Sequence, residues 1–266
     1  MEHIRPCRDN NAIKIAAIAF EFSQPITENS IRKFLSFYQQ DNELKTEFPN
    51  SQNIDSVVFQ MGPNLSSQQV KGIGGVVLDA PLNNGEPPIS LTLRTDALIF
   101  TCSDYNSWTE FFSSTIKFFK KVIPTLDGVR SNVVGVEYYD EFLINPAAKS
   151  YDWKKNFFRL NNAYISNTIL NADDLWHIHQ GFFDNHSLSP QRLLNIIELN
   201  LVDMQTNMTL LVKTQHKLNL VEDVNIDDLI CNQSEKYLNA IHDKNKEIIS
   251  NILSDEALAS INMDKE

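Results

Sequence analysis

The sequence predicts an α+β fold in which antiparallel strands carry amphipathic helices on one face. Three observations lead there. Ile89, Leu91 and Leu93 alternate with Ser90, Thr92 and Arg94, the two-residue period of a half-buried strand. Trp108, Phe111, Phe112, Thr115, Phe118, Phe119 and Val122 recur every three to four residues, the period of an amphipathic helix. The same order then returns: Leu193–Met204 and Met208–Leu220 alternate as a hairpin, and Tyr237, Leu238, Ile241, Ile248, Ile249 and Ile252 follow at helical spacing. Both halves therefore run hairpin then helix, and antiparallel strands covered by helices make an α+β layer.

The elements justify themselves in order. Residues 1–11 are a polar lead-in, and the β-branched run Ile13–Phe22 is a first strand that Pro25 ends. Thr27 is placed to cap a helix whose inward face is Ile31, Phe34, Leu35 and Tyr38, closed by Pro49. Ile54–Met61 and Gly72–Leu78 add strands, and Asn83–Pro88 is a turn. A short turn near Thr95 and Asp96 folds Ile89–Arg94 back onto Leu98–Thr101. Ser107 and Glu110 form a capping box at the start of the aromatic helix. Lys117, Lys120 and Lys121 stand at its end, where cations suit the helix dipole, and Pro124 stops it. At least two of Phe111, Phe112, Phe118 and Phe119 are expected to be fully buried on the Ile89–Thr101 hairpin. Val133–Ile144 is another strand, with Val134, Val136, Tyr138 and Phe142 on one face. A turn at Gln205–Asn207 joins the second hairpin, and Ser254 caps a short last helix. The segments so defined are an N-terminal α+β half (1–144), an aromatic connector (145–190) and a C-terminal hairpin with its long helix (191–266). No Gly-, Ser- or Pro-rich linker divides them, so they are expected to pack as one unit.

Composition narrows the function. At 266 residues, 42% hydrophobic and 21% charged, the chain is an ordinary globular mixture with enough apolar material for a sizeable core. Sixteen Phe against eight Gly favours aromatic packing over glycine-rich phosphate loops. The net charge of -11 opposes direct nucleic-acid binding, which neutralises phosphates with Lys and Arg. Three cysteines far apart (Cys7, Cys102, Cys231) are neither a disulfide framework nor a zinc knuckle and suit a reducing compartment. No leader pattern and no apolar run approaching the ~20 residues of a spanning helix is present, so a cytoplasmic chain without membrane contact is expected.

No catalytic signature stands out, and the candidate sites divide by chemistry. His177 and His179 alternate on a strand-like segment and would point both imidazoles to one face, with Asp174 as a carboxylate ligand and Asp173 and His186 nearby. A metal needs more ligands than a lone His-x-His supplies, so exposed histidines in an aromatic connector are the simpler account, and no cofactor is implied. Glu137, Asp140 and Glu141 could pair for acid–base work or Mg²⁺. Glu137 and Glu141 fall on the polar face, however, and Asp140 lies near a strand end where a turn would expose it, so solvated carboxylates are expected. Gly72-Ile73-Gly74-Gly75 has no Lys-Ser/Thr and no helix after it, which makes a bulge or bend the better reading than a phosphate loop. Cys102 and Cys231 are expected to be buried, inert thiols. For partner contacts the candidates are Trp108, Phe112 and Phe119 along one edge of the aromatic helix, and Trp153, Phe157 and Trp176 in the connector.

Three segments carry a family resemblance: Leu91–Ile99 with the helix 108–123 after it, Val136-Glu137-Tyr138-Tyr139-Asp140, and Ile241-His242-Asp243 with Leu253-Ser254-Asp255-Glu256. In these the chain resembles a sporadically distributed, largely uncharacterised family of bacterial proteins of about 250 residues. The resemblance implies an accessory component of mobile or defence-type gene clusters and supplies no catalytic residues. The reading that results is a non-enzymatic binding or accessory protein, acting on a protein partner or as a homo-oligomer, in an anti-phage defence or toxin-regulating cluster. The alternative is a metal-dependent hydrolase or nuclease-like enzyme using His177, His179 and nearby carboxylates.

Overall fold

A computed structural model describes residues 4–9, 11–61, 67–145, 153–172, 174–184, 188–204 and 207–263, with side chains described outside 57–71 and 204–207. Helices and a large antiparallel sheet share the chain, an α+β fold. Two compact units emerge. One holds Ala17–Gly135 and Asn219–Glu235; the other holds Met1–Ala16, Val136–Leu218 and Lys236–Glu266. Strands β2 (Ile13–Phe22), β7 (Arg130–Ile144) and β10 (Asn207–Asn225) contribute residues to both.

The first, the α3 unit, is built on α1 (Glu28–Gln40), α2 (Asn42–Glu47), strands β3 (Asn50–Met61), β4 (Ser67–Asp79), β5 (Ile89–Arg94) and β6 (Ala97–Cys102), and helix α3 (Trp108–Val122). Its strands lie in the order β3-β4-β5-β6-β2-β7-β10. Both helix starts follow the capping rule read from sequence: the Thr27 and Ser107 hydroxyls each accept a backbone N–H three residues on, at 3.3 Å. A bulge at Gly74 interrupts the β3–β4 ladder, because Ile54 pairs with Gly75 and Asp55 with Ile73. Gly75 is needed for a different reason: a Cβ there would sit 2.6 Å from the Leu93 carbonyl oxygen.

Under α3 lies a lattice of phenyl rings. Phe111, Phe118 and Phe119 are buried, whereas Phe112 is half-buried. Phe118 meets Phe48 edge-on at 4.8 Å and stacks on Phe100 at 5.8 Å; Phe119 meets Phe20 edge-on at 5.5 Å. Such pairs add about 0.5–1.5 kcal/mol each to the burial itself. Lys117 and Lys121 are held by carboxylates and do not merely complement the helix dipole. Lys121 reaches Asp41 at 2.9 Å and Glu43 at 2.7 Å, and Lys117 reaches Glu43 at 2.8 Å.

The second, the α7 unit, contains β1 (Ile4–Pro6), α4 (Trp153–Phe157), α5 (Asn167–Leu170), β8 (His177–Asp184), β9 (Arg192–Met204), α7 (Ser234–Ile252) and α8 (Asp255–Ser260). Its strands run β7-β10-β9-β8, with β1 added to β7; residues 205–206, expected to turn between β9 and β10, lie outside the described residues. Helix α7 does not begin at Ile226 as its periodicity suggests. Ile226–Asp228 form the short helix α6, and a π turn at Leu229–Gln233 precedes α7. Leu229 and Ile230 face the core, which leaves Cys231 exposed, contrary to the buried thiol expected from sequence.

The described residues of the aromatic segment 145–190 pack into the core of the α7 unit. Trp153, Phe157, Phe158 and Trp176 pack in one cluster with Phe142, Ile197, Leu199, Leu210, Val212, Ile248 and Ile252. Backbone bonds tie it down: the Arg159 N–H donates to the Ile252 carbonyl at 2.9 Å and the Ser254 N–H to the Phe157 carbonyl at 2.8 Å.

The ring lattice makes a direct expectation. Phe118→Ala should lose about 3–5 kcal/mol in urea denaturation, because transfer energy and a cavity are both at stake. Phe112→Ala should lose no more than about 1 kcal/mol, as expected of a side chain still partly in water. Equal losses at the two positions would contradict this packing.

Candidate functional site

The densest group of chemically capable side chains in the α7 unit is a polar layer beneath α7. The strand period that places Val136 and Phe142 inward also turns Tyr138 and Asp140 inward from β7. The same rule brings Asn195 in from β9, and Thr214 and His216 from β10. Helix α7 supplies His242 and Asn245, three apart and therefore on one face. All seven are buried.

Distances define the connections. The two ring nitrogens of His216 contact Asn195 Oδ1 at 2.7 Å (Nδ1) and Asn245 Oδ1 at 3.1 Å (Nε2). The Thr214 hydroxyl donates to Asn245 Oδ1 at 2.7 Å, and Tyr138 Oη lies 2.9 Å from His242 Nδ1. Burial pushes the pKa of His216 down to about 4, and that of His242 likewise to about 4. A neutral imidazole offers one N–H and one lone pair, so it satisfies two amides only if one of them presents its NH₂. Asn195 can do so without loss, since its Nδ2 has no partner where it stands. His216 then carries its proton on Nε2 and donates to Asn245. Removing Asn195 or Asn245 would strand a buried ring nitrogen of His216, at a cost of about 1–3 kcal/mol.

Asp140 corrects the sequence reading. It is buried at 7% exposure, its Oδ1 has no hydrogen-bond partner, and burial pushes its pKa up to about 7. The strand does not end where a turn would release it: β7 continues to Ile144, and β1 pairs beside it from Phe142 to Ile144. Glu137 and Glu141 are on the other face as expected. Glu137 meets Lys213 at 3.2 Å and Gln215 at 2.9 Å, and Glu141 meets Lys14 at 2.8 Å.

The metal candidates are placed differently. His177 and His179 are exposed on one face of β8, and His179 Nδ1 stands 3.7 Å from Glu198 Oε1 across the ladder. Asp174 is exposed beside them in sequence, while Asp173 and His186 lie outside the described residues. Among the described residues no group of three or more His, Cys, Asp or Glu is placed to hold a metal ion. Of the thiols, Cys102 is buried, and burial and Asp227 raise the pKa of Cys231, the opposite of nucleophile activation.

Four of the six partner candidates have little or no surface to offer. Phe119 and Phe157 are fully buried, and Trp153 and Trp176 nearly so, because each fills the core of its unit. Trp108 and Phe112 are half-buried, their rings 5.9 Å apart on the first turns of α3. Among the described residues the large apolar side chains that stand out are Leu82, Leu160, Leu175, Phe183 and Val221, none of which belongs to a periodic pattern that would single it out in sequence. Phe183 carries the Arg192 guanidinium 4.3 Å from its ring centre. In comparisons with known proteins, no family model, no curated protein and no solved structure matched the chain.

The buried layer has a pH signature whose signs can be worked out. The folded pKa of Asp140 lies above its ordinary 3.8, so its contribution is fully present below that value and is lost as pH rises through about 7. His216 and His242 run the other way, with stability present above 6.5 and lost as pH falls through about 4. Asp140→Asn should therefore leave stability near pH 4 unchanged and raise it increasingly toward pH 8, by on the order of 2–4 kcal/mol. Denaturation curves of the two proteins across that range measure it, and a pH-independent difference would contradict the assignment.

Proposed function

We propose that the chain is a non-enzymatic accessory protein that works by binding a protein partner. One observation supports this above the others: Trp108 and Phe112 keep part of their rings at the surface of α3, whose remaining aromatic side chains are consumed by the core. Trp is the residue most often found at the energetic centre of an interface, because a large ring gains contact area at small conformational cost. Exposed Asp104 precedes the pair in sequence and exposed Glu110 lies between its members, and the whole chain carries -11. That charge would steer a basic partner onto an aromatic centre. The family resemblance supports a setting among bacterial defence or toxin-regulating components. The order of elements supports a construction from one unit used twice, β5–β6 followed by α3 and β9–β10 followed by α7.

The test is recovery of a partner from the native cell by the parent protein and by Trp108→Ala/Phe112→Ala, with both melting curves beside it. The proposal expects a protein that the parent retains and the folded double variant loses by tenfold or more. Equal recovery by both, or turnover of a small molecule without any partner, would overturn it.

A further inference from the structure

We propose that β8 is a dimerisation edge, pairing antiparallel with β8 of a second copy about a twofold axis at Gln180. The inference does not rest on the α3 reading, since a strictly monomeric chain would refute it and leave that reading standing.

The hydrogen-bond phase of the strand comes first. β8 pairs with β9 on one side and ends the strand order of its unit. The Leu201 N–H donates to the Trp176 carbonyl at 3.0 Å, and the ladder continues from there as His177 opposite Asn200. Hydrogen-bonded and non-bonded pairs alternate along an antiparallel ladder. Ile178, Gln180, Phe182 and Asp184 therefore turn their peptide groups to β9, and His177, His179, Gly181 and Phe183 turn theirs to the open edge. Among the described residues nothing bonds to those outward groups. Exposed edges are usually protected by Pro, Lys or an inward-pointing charge. The sequence of β8, His-Ile-His-Gln-Gly-Phe-Phe-Asp, has neither Pro nor Lys, and its one charge, Asp184, is already held by Lys244 at 3.0 Å.

The occupant follows from symmetry. The four outward positions are evenly disposed about Gln180, which is the condition for pairing with an identical strand. In that register His177 faces Phe183 of the second copy, His179 faces Gly181, and Ile178 faces Phe182. Each pairing joins residues of the same face, so the inward pattern of the sheet is kept. Ile178 and Phe182, both only half-buried in one copy, cover each other in the non-bonded pairs where side chains approach most closely. Gly181 leaves space for the imidazole opposite it. Competing registers fit worse. A one-residue shift sets outer side chains against inner ones. A two-residue shift either opposes Asp184 to Ile178 or carries both Phe183 and Asp184 past the end of the second strand, where the register about Gln180 carries Asp184 alone.

Two experiments on the full chain decide it. Light scattering behind a sizing column at about 50 µM should give twice the 30.4 kDa chain mass, and Gly181→Pro should halve it. Proline is tolerated on an edge strand where its missing N–H faces outward, so the variant should keep its circular dichroism. If that variant fails to fold, the register is read from cysteines instead, in a Cys231→Ser background. Gln180→Cys should cross-link at the axis under mild oxidation, because directly opposed Cα atoms lie about 4.5–5.5 Å apart, within disulfide reach. His177→Cys should not. A monomeric parent, a dimer indifferent to Gly181→Pro, or cross-linking at 177 and not at 180 would each overturn the proposal.

Discussion

Helix α7 must cover polar atoms as well as apolar ones, and the α7 unit depends on how that is done. Its outer turns supply ordinary core residues, Leu238, Ile241, Ile248, Ile249 and Ile252. Between them His242 and Asn245 meet Tyr138, Thr214 and His216 from the strands. Apolar contacts would tolerate sliding the helix along the sheet. A hydrogen-bonded layer does not, because a displacement of one residue leaves several buried donors and acceptors unmatched, and each is costly in a medium without water. The layer therefore fixes where α7 sits, and through its neighbours Ser254 and Arg159 it fixes where the aromatic segment docks.

The aromatic surplus answers a related constraint. A chain with sixteen Phe has more ring surface than glycine-dependent turns to deploy it around, and both units spend it inward. In the α3 unit Phe20 and Phe119, and Phe48 and Phe118, meet edge-to-face while Phe100 stacks on Phe118, and in the α7 unit Phe142, Phe157, Phe158 and Trp176 meet edge-to-face. Among the described Phe and Trp side chains, Phe37 on α1, Trp108 and Phe112 on α3 and Phe182 on β8 are half-buried, and Phe183 on β8 is exposed.

The alternations at Ile89–Arg94 and Met208–Leu220 and the spacing of Phe111, Thr115, Phe118 and Val122 were legible because period alone determines which face is covered. The capping residues Thr27, Ser107 and Ser254 were legible because their bonds are local. What period could not give is which surfaces another segment covers. Asp140 shares the two-residue period of Tyr138 and Phe142, yet that β7 runs on to Ile144 instead of turning is tied to its pairing with β1, across more than a hundred residues. Trp153, Phe157 and Trp176 looked available because the segment around them lacks a period, and irregular backbone is easily taken for surface. The alternation of His177 and His179 marks a strand-like segment, but two histidines, a glutamine and a glycine carry little of the β-branched signal that would give the extent of β8. The π turn at Leu229–Gln233 shifted the helix phase by one residue and exposed Cys231, which a uniform helical period hides.

The central claim is that the side chains best equipped for chemistry in this chain are sealed into a structural layer. Nitrogen-15 NMR of the His216 and His242 rings tests it most directly, since each imidazole reports its own tautomer and protonation. The account predicts that neither ring titrates between pH 7.5 and 5.5, and that His216 holds its proton on Nε2 throughout, its pKa lying near 4. A ring that titrates near the ordinary 6.5 of histidine would show that water reaches the layer. That result would contradict the account and reopen the layer as a place for catalysis.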